Sequence, residues 1–248
     1  MSRGILVCVA GADASGKTTI INRFIEKYNK VNNTDKTDKS GEWIVFKYPN
    51  RSTILGKKID RILKGRLVVN KEVEIKMFAD NRSEDKNEIL NLLNSGVNVI
   101  LDRYTYCSLA YTMTSQYKFV MDSMHNESNF KFGDSNLISD KFLFRKVLSC
   151  DKGNLKPDFT FLIYGNFLHL RKDIEKYDYT DSLRDVLYNN YVVSFLNTDT
   201  RFCSIHNNGD KTIEELVENI YFKINKYGIS TLRSQTVGDL SKPVARFN

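Results

Sequence analysis

The sequence predicts a three-layer α/β/α fold, with a five-stranded parallel sheet between two layers of helices, and three observations predict it. Ile5-Leu6-Val7-Cys8-Val9-Ala10 is continuously apolar, the pattern of a strand buried on both faces. It runs directly into the glycine loop Gly11-Ala12-Asp13-Ala14-Ser15-Gly16-Lys17-Thr18. Four more short apolar runs follow, separated by helix-length segments, and this alternation argues for parallel strands joined by helical crossovers.

The elements can be placed in order. Thr18 to Tyr28 reads as a helix whose stripe is Ile20, Ile21, Phe24 and Ile25. Asn29 to Gly41 is a polar loop, and Trp43 to Tyr48 a second strand, ended by Pro49 because proline supplies no ladder donor. Two helices are expected over Thr53 to Lys64 and Lys71 to Asn94, then a third strand over Val97 to Leu101, which delivers Asp102-Arg103-Tyr104. Thr105 to Thr114 reads as helical, Ser115 to Ser139 as irregular and polar, and Phe142 to Val147 as a short helix. Phe159 to Tyr164 is the fourth strand, Thr180 to Asn197 a helix, Phe202 to Ile205 the fifth strand, and Thr212 to Tyr227 the last helix. No internal repeat or low-complexity linker interrupts this pattern, so residues 1–248 are expected to form one domain of 28.7 kDa.

Lys and Arg number 37 against 30 Asp and Glu, a net charge of +7 that suits an anionic small molecule or nucleic acid. The basic residues are scattered, which disfavours a dedicated nucleic-acid stripe. Cys8, Cys107, Cys150 and Cys203 lie far apart, and three histidines complete the soft-ligand inventory, so neither a disulfide framework nor a zinc site is indicated. With no signal-peptide pattern and no apolar run long enough to span a bilayer, the expected setting is the cytoplasm, the nucleus being the alternative.

The chemistry begins at Gly11, Gly16, Lys17 and Thr18, which match the phosphate-loop pattern Gly-x-x-x-x-Gly-Lys-Thr in its required context of strand before and helix after. This makes the fold one of P-loop NTPase type. Backbone N–H groups from Gly11 through Ala14, Ser15 and Gly16 to Thr19 can curl around phosphate oxygens at the positive end of a new helix. Lys17 would reach the outer phosphates of ATP and the Thr18 hydroxyl would ligate Mg²⁺. At the carboxyl edge of the sheet Asp102 can hold Mg²⁺ through water and Arg103 can bind an acceptor phosphate; a strand-end ion pair is the competing reading. Arg51, at a strand-to-helix turn after Tyr48, can meet phosphate as a planar fork. Phe78 and Arg82, four apart on one helix, share a face on which a base could stack and hydrogen-bond; taken singly, Phe78 reads as core and Arg82 as surface.

Together these clusters resemble the thymidylate kinases. The order is that of eukaryotic and large DNA virus members: Gly-x-Asp-x-x-Gly-Lys-Thr-Thr, Tyr-Pro-Asn-Arg-Ser-Thr-x-x-Gly-Lys, Phe-Ala-Asp-Asn-Arg, Asp-Arg-Tyr-x-x-x-x-x-Ala-Tyr, and Leu-Lys-Pro-Asp before a strand. The resemblance covers most of residues 3–111, resumes from Leu155 to Tyr191, and returns at Thr236 to Leu240. It implies transfer of the γ-phosphoryl group of ATP to dTMP with Mg²⁺, in a homodimer. It further implies that Arg51 and Arg103 clamp the dTMP phosphate, Phe78 stacks on thymine, Arg82 bonds its exocyclic oxygen, and Asp13 contacts the sugar of the acceptor. Tyr48, Cys107, Ser108 and Tyr111 would complete the acceptor pocket, and Tyr177 would pack where a 2′-hydroxyl would sit.

Three departures stand out. Ala14 occupies a position that is basic in many eukaryotic members, so transition-state charge must come from elsewhere; Arg171, in a candidate helical lid over residues 166–178, is the expected source. Cys107 replaces the serine of Asp-Arg-Tyr-x-x-Ser, with Ser108 beside it. The stretch between Tyr111 and Lys156, an insertion over about 112–154, is roughly twice the usual length and has no assigned role. Two other readings stay open: a nucleoside or nucleoside monophosphate kinase with another acceptor, and a non-catalytic nucleotide or nucleic-acid binding protein. Paired arginines at 51 and 103 argue for a phosphorylated acceptor over a bare nucleoside.

Overall fold

The computed structural model describes residues 3–32, 41–123, 141–165, 181–196 and 201–232. Its elements are β1 (Leu6–Ala10), α1 (Lys17–Asn32), β2 (Trp43–Lys47), α2 (Ile54–Leu63), α3 (Lys71–Glu84), α4 (Lys86–Asn94), β3 (Asn98–Asp102), α5 (Thr105–Ser123), α6 (Lys141–Cys150), β4 (Phe159–Tyr164), α7 (Asp181–Leu196), β5 (Phe202–His206) and α8 (Ile213–Leu232). The five strands form one parallel sheet in the order β2-β3-β1-β4-β5, as the alternation of strands and helices predicts. β1 lies at its centre, where the direction of winding reverses. Ligands of open α/β sheets gather outside the carboxyl ends of strands at such a switch point. The register sharpens this: Val9 of β1 is opposite Asp102 of β3, so the glycine loop leaves β1 beside that carboxylate.

Period-two alternation within the buried strands divides the core between the two helical layers. Leu6, Cys8 and Ala10 of β1, with Val99, Leu101 and Leu162, face a layer that includes Ile75, Ile89, Leu109, Val147 and Tyr191 from α3 to α7. Val7, Val9, Ile100, Phe161, Ile163 and Ile205 point the other way, onto Ile20 and Phe24 of α1 and Leu216, Val217 and Ile220 of α8. Asp158, just ahead of β4, ties the first residues to the sheet by accepting the Leu6 N–H at 2.8 Å and pairing with Arg3.

Two expectations are corrected. The helix expected over Lys71 to Asn94 is two helices, broken at Asp85, whose backbone (φ −94, ψ 0) leaves the helical range. Asn50, in the loop after β2, donates from Nδ2 to the Asp85 carboxylate at 3.2 and 3.3 Å, so the break is where that loop is fastened. The irregular segment expected from Ser115 onward is helical as far as Ser123, because α5 continues through it. Polar residues at the junction are accommodated: Thr114, the last residue of the expected helix, is fully buried, donates to Ala110 O at 2.8 Å and accepts from Asn190 of α7 at 2.9 Å, and Ser115 Oγ donates to Thr112 O at 2.8 Å. Side-chain bonds back to the helix and across to a packed neighbour make polar sequence compatible with a buried helix, and linear patterning does not register them. No described helix is long and apolar enough to cross a membrane.

Phe161 is fully buried at the centre of the α1/α8 face. Phe161→Ala is expected to lower unfolding free energy by about 3–5 kcal/mol in chemical denaturation, the ordinary cost of a large aromatic cavity. A loss below about 1 kcal/mol would contradict the packing described.

Candidate active site

At the carboxyl ends of β1, β2 and β3 a cleft of about 800 Å³ opens. Asp13 to Thr19 line one side of it, Tyr48 and Arg51 the loop after β2, Phe78 and Arg82 the α3 wall, and Asp102, Arg103, Cys107, Ser108 and Tyr111 the end of β3 and the start of α5. Gly11 lies at the root of the loop, while Arg171 and Tyr177 fall outside the described residues.

Close approach dictates both loop glycines. Gly11 has φ +141, and a Cβ there would stand 2.2 Å from Ile163 O; Gly16 has φ +87, and its Cβ would meet Asn207 Nδ2 at 2.4 Å. Ala14 holds a left-handed φ of 52, which costs an L-residue about 1–2 kcal/mol. Lys17, at the start of α1, is buried, and its ammonium donates to Ala12 O and, at 3.2 Å, to Ser15 Oγ. Burial and then the neighbouring Arg103 lower its pKa to about 7, against the opposing pull of Asp13. A desolvated ammonium at the N-terminal end of α1 is suited to an incoming polyanion.

Arg103 joins the loop to β3. Its backbone has φ 69, its N–H donates to Val9 O at 3.0 Å, and its guanidinium donates to Gly11 O at 2.9 Å and Asp13 Oδ1 at 2.6 Å. The Tyr111 hydroxyl donates to Asp13 Oδ2 at 2.8 Å. Burial, followed by the charge of Asp13, pushes the Tyr111 phenol well up, so it stays a donor at neutral pH. Arg51 lines the cleft from the loop after β2, and its Nη1 donates to Asp60 Oδ1 of α2 at 2.8 Å.

Arg82 is a buried residue, which overturns the surface reading of it taken alone. Its Nε and Nη2 donate to the two oxygens of Asp151 at 2.9 and 2.7 Å, and its Nη1 to Ser108 Oγ at 2.9 Å. Phe78 is half-buried on the cleft wall. Asp102 is buried, and its Oδ1 has no hydrogen-bond partner among the described residues.

Several site residues escaped sequence reasoning. Lys71, Glu74 and Ile75 also line the cleft. They continue the Phe78/Arg82 face backwards at helical spacing, and that periodicity could have found them. Asn81, fully buried, accepts the Asn50 N–H at 2.7 Å and pins the loop that carries Arg51. Asn207, after β5, donates to Ser15 O at 3.1 Å and backs the glycine loop from 192 positions away. Nothing in the linear sequence marks such a contact.

Comparison with known proteins agrees with this geometry. The family model described as thymidylate kinase matches residues 9–129, from β1 into the segment after α5. A solved structure of the thymidylate kinase of Candida albicans superposes with a TM-score of 0.67 at 25% identity, covering 91% of this chain and 93% of that one. In sequence over about half its length and in fold over most of it, the chain is similar to the thymidylate kinases. The thymidylate kinase of Schizosaccharomyces pombe is 35% identical over 111 residues, which are 45% of this chain and 49% of that protein. The thymidylate kinase of Caenorhabditis elegans is 32% identical over 113 residues, 45% of this chain and 51% of that protein. The chain thus spans about half the length of the curated relatives it matches. In thymidylate kinase terms, the matched half carries the glycine loop, Arg51, Phe78, Arg82 and Asp102-Arg103, whereas Asp151 and Asn207 lie beyond it.

The lowered pKa of Lys17 yields a test. In the free chain the ammonium is half lost near pH 7, whereas a bound polyphosphate stabilises it and moves its pKa upward. The complex then holds more protons than the free chain above pH 7, so affinity falls as pH rises. Calorimetry of a nonhydrolysable ATP analogue at pH 8, in buffers of different ionisation enthalpy, is expected to show uptake of about one proton, with affinity dropping about tenfold from pH 8 to 9. Binding without proton uptake would contradict the desolvated state of Lys17.

Proposed function

We propose that this chain transfers the γ-phosphoryl group of ATP to dTMP, producing dTDP and ADP. The observation that carries the reading is the contact of Asp13 with Arg103 at 2.6 Å, which ties the donor-phosphate loop to a cation suited to an acceptor phosphate in one cleft. Phosphoryl transfer needs little covalent help from protein groups; alignment and charge stabilisation supply most of the rate.

In this reading the loop amides cradle the donor phosphates and Lys17 contacts the outer ones. Arg103 and Arg51 take the dTMP phosphate. Arg103 is already oriented by Gly11 O and Asp13, whereas Arg51 lines the cleft while its Nη1 holds Asp60, a largely exposed pair worth about 0–1 kcal/mol that a phosphate can displace. Phe78 stacks on the base, Arg82 donates to its exocyclic oxygen, and Asp13 contacts the acceptor sugar. Tyr48, Cys107, Ser108 and Tyr111 wall the acceptor pocket.

Mg²⁺ fits the residues present. The orphaned Asp102 Oδ1 and the Thr18 hydroxyl are hard oxygen donors in the same cleft, and Mg²⁺ characteristically takes one or two protein oxygens with the rest from water and phosphate. When bound, it would neutralise charge on the transferring phosphates. With Ala14 in the loop, we assign the remaining transition-state charge to Arg171 of the lid and the exclusion of ribonucleotides to Tyr177. A homodimer and a cytoplasmic setting belong to the same proposal.

A coupled ATP assay across dTMP, dUMP, dGMP and thymidine tests the reading. dTMP is the expected best acceptor, and turnover of thymidine without dTMP would overturn it. Arg103→Ala is expected to cost about 10²–10³ in kcat/KM for dTMP, as loss of a preorganised charge contact does. Arg171→Ala is expected to lower kcat by about 10³ or more, the scale of an arginine that meets transition-state charge. Near-normal turnover of Arg171→Ala would remove that assignment and leave the acceptor reading intact.

A further inference from the structure

We infer that Asp151, held by Asn154, is a positioning residue that aims Arg82 into the acceptor pocket and so sets base selectivity; this rests on the dTMP reading of the cleft. Arg82 lines the cleft, while Asp151 stands behind it, outside the lining. The two side chains are 3% and 5% exposed, and the carboxylate closes the Nε/Nη2 edge of the guanidinium at 2.9 and 2.7 Å. Two parallel bonds fix the plane of the fork, which a single contact cannot. The opposite edge, around Nη1, is left toward Ser108 and the cleft. Tyr104 lies beside the guanidinium, its ring centroid 5.9 Å away.

Asp151 is itself immobilised. It follows α6 directly, its N–H donating to Val147 O at 3.0 Å, and it opens a tight turn in which the Asn154 N–H donates to Asp151 O at 2.9 Å. Gly153 takes φ +98 in that turn, a conformation L side chains rarely adopt. Asn154 donates from Nδ2 to Asp151 Oδ1 at 2.7 Å and to Ala79 O at 3.2 Å, and it accepts from Ser83 Oγ at 2.7 Å. The turn therefore grips α3 on both sides of Arg82, at Ala79 and at Ser83. The segment between Tyr111 and Lys156, without a role in the linear reading, contributes this brace.

The consequence is chemical. A guanidinium whose one edge is closed by a carboxylate and whose plane is fixed offers donors only, in one direction. It accepts a base with a carbonyl oxygen at that place, as in thymine or uracil, and leaves the amino group of cytosine opposite a donor. Releasing Arg82 would let it turn away, loosening that distinction without touching the ATP side.

The test is steady-state kinetics with dTMP and dCMP as acceptors. Asp151→Asn is expected to raise KM for dTMP about tenfold and shrink the dTMP-over-dCMP preference by a similar factor, with KM for ATP and saturated kcat near the wild-type values. In an Arg82→Ala background the same change is expected to add nothing to KM for dTMP, the coupling that positioning requires. A preference within about twofold of wild type, an equal rise in the Arg82→Ala background, or an equal rise in KM for ATP would overturn the inference. Should Asp151→Asn fail to fold by circular dichroism, Asn154→Ala, which keeps the ion pair and frees the carboxylate, is expected to reduce the preference about threefold, and an unchanged preference overturns the inference. Wild-type protein inactive on dTMP sinks the functional reading and this inference together, whereas active wild type indifferent to Asp151→Asn sinks this inference alone.

Discussion

Arg103 joins the end of β3 to the loop that leaves β1, and the rest of the cleft depends on that junction. Its left-handed backbone turns the chain sharply after the strand, its N–H completes the β1–β3 ladder at Val9 O, and its guanidinium holds Gly11 O and Asp13. Parallel pairing places Asp102 opposite Val9, and the arginine converts that register into a fixed separation between loop and carboxylate. Tyr111 and Tyr191, from α5 and α7, add hydroxyl contacts to Asp13 and to Gly11 O at 2.8 and 3.1 Å. One half-buried cation thus gathers the helical layer on that face around the root of the loop.

Such a junction crowds positive charge. Lys17, Arg82 and Arg103 all line one cleft, and burial of like charges is costly without compensation. Each is compensated differently. Arg103 has Asp13, Arg82 has Asp151, and Lys17 has dipolar partners, a carbonyl and a hydroxyl, with its pKa lowered to about 7. Lys17 is therefore the cation with the most to gain from a bound polyanion. Arg82 can gain little further charge stabilisation from a ligand, which suits it to reading a neutral base edge.

Asp151 and Asn207 act from outside the cleft and resemble each other in logic. Each is a polar residue in a turn, one after α6 and the other after β5, and each secures an element that bears contacts of the site. The conformational freedom of a long arginine or a glycine loop would otherwise have to be frozen on ligand binding.

The linear sequence determined the strands, the glycine loop, the parallel alternation and the cluster of Asp102-Arg103, Arg51, Phe78 and Arg82, because these rest on short-range rules: unbroken apolar runs for doubly buried strands, glycine where a Cβ cannot fit, and residues four apart on a helix sharing a face. Tertiary structure alone decided the break at Asp85, the helical continuation past Thr114, the burial of Arg82 by Asp151, and the support of Ser15 by Asn207. Each of these is a hydrogen bond or ion pair between residues distant in the chain, made by side chains whose identities, Asp, Asn, Thr and Arg, equally suit a solvated surface. Patterning reports what a residue prefers, whereas packing decides which partner it meets.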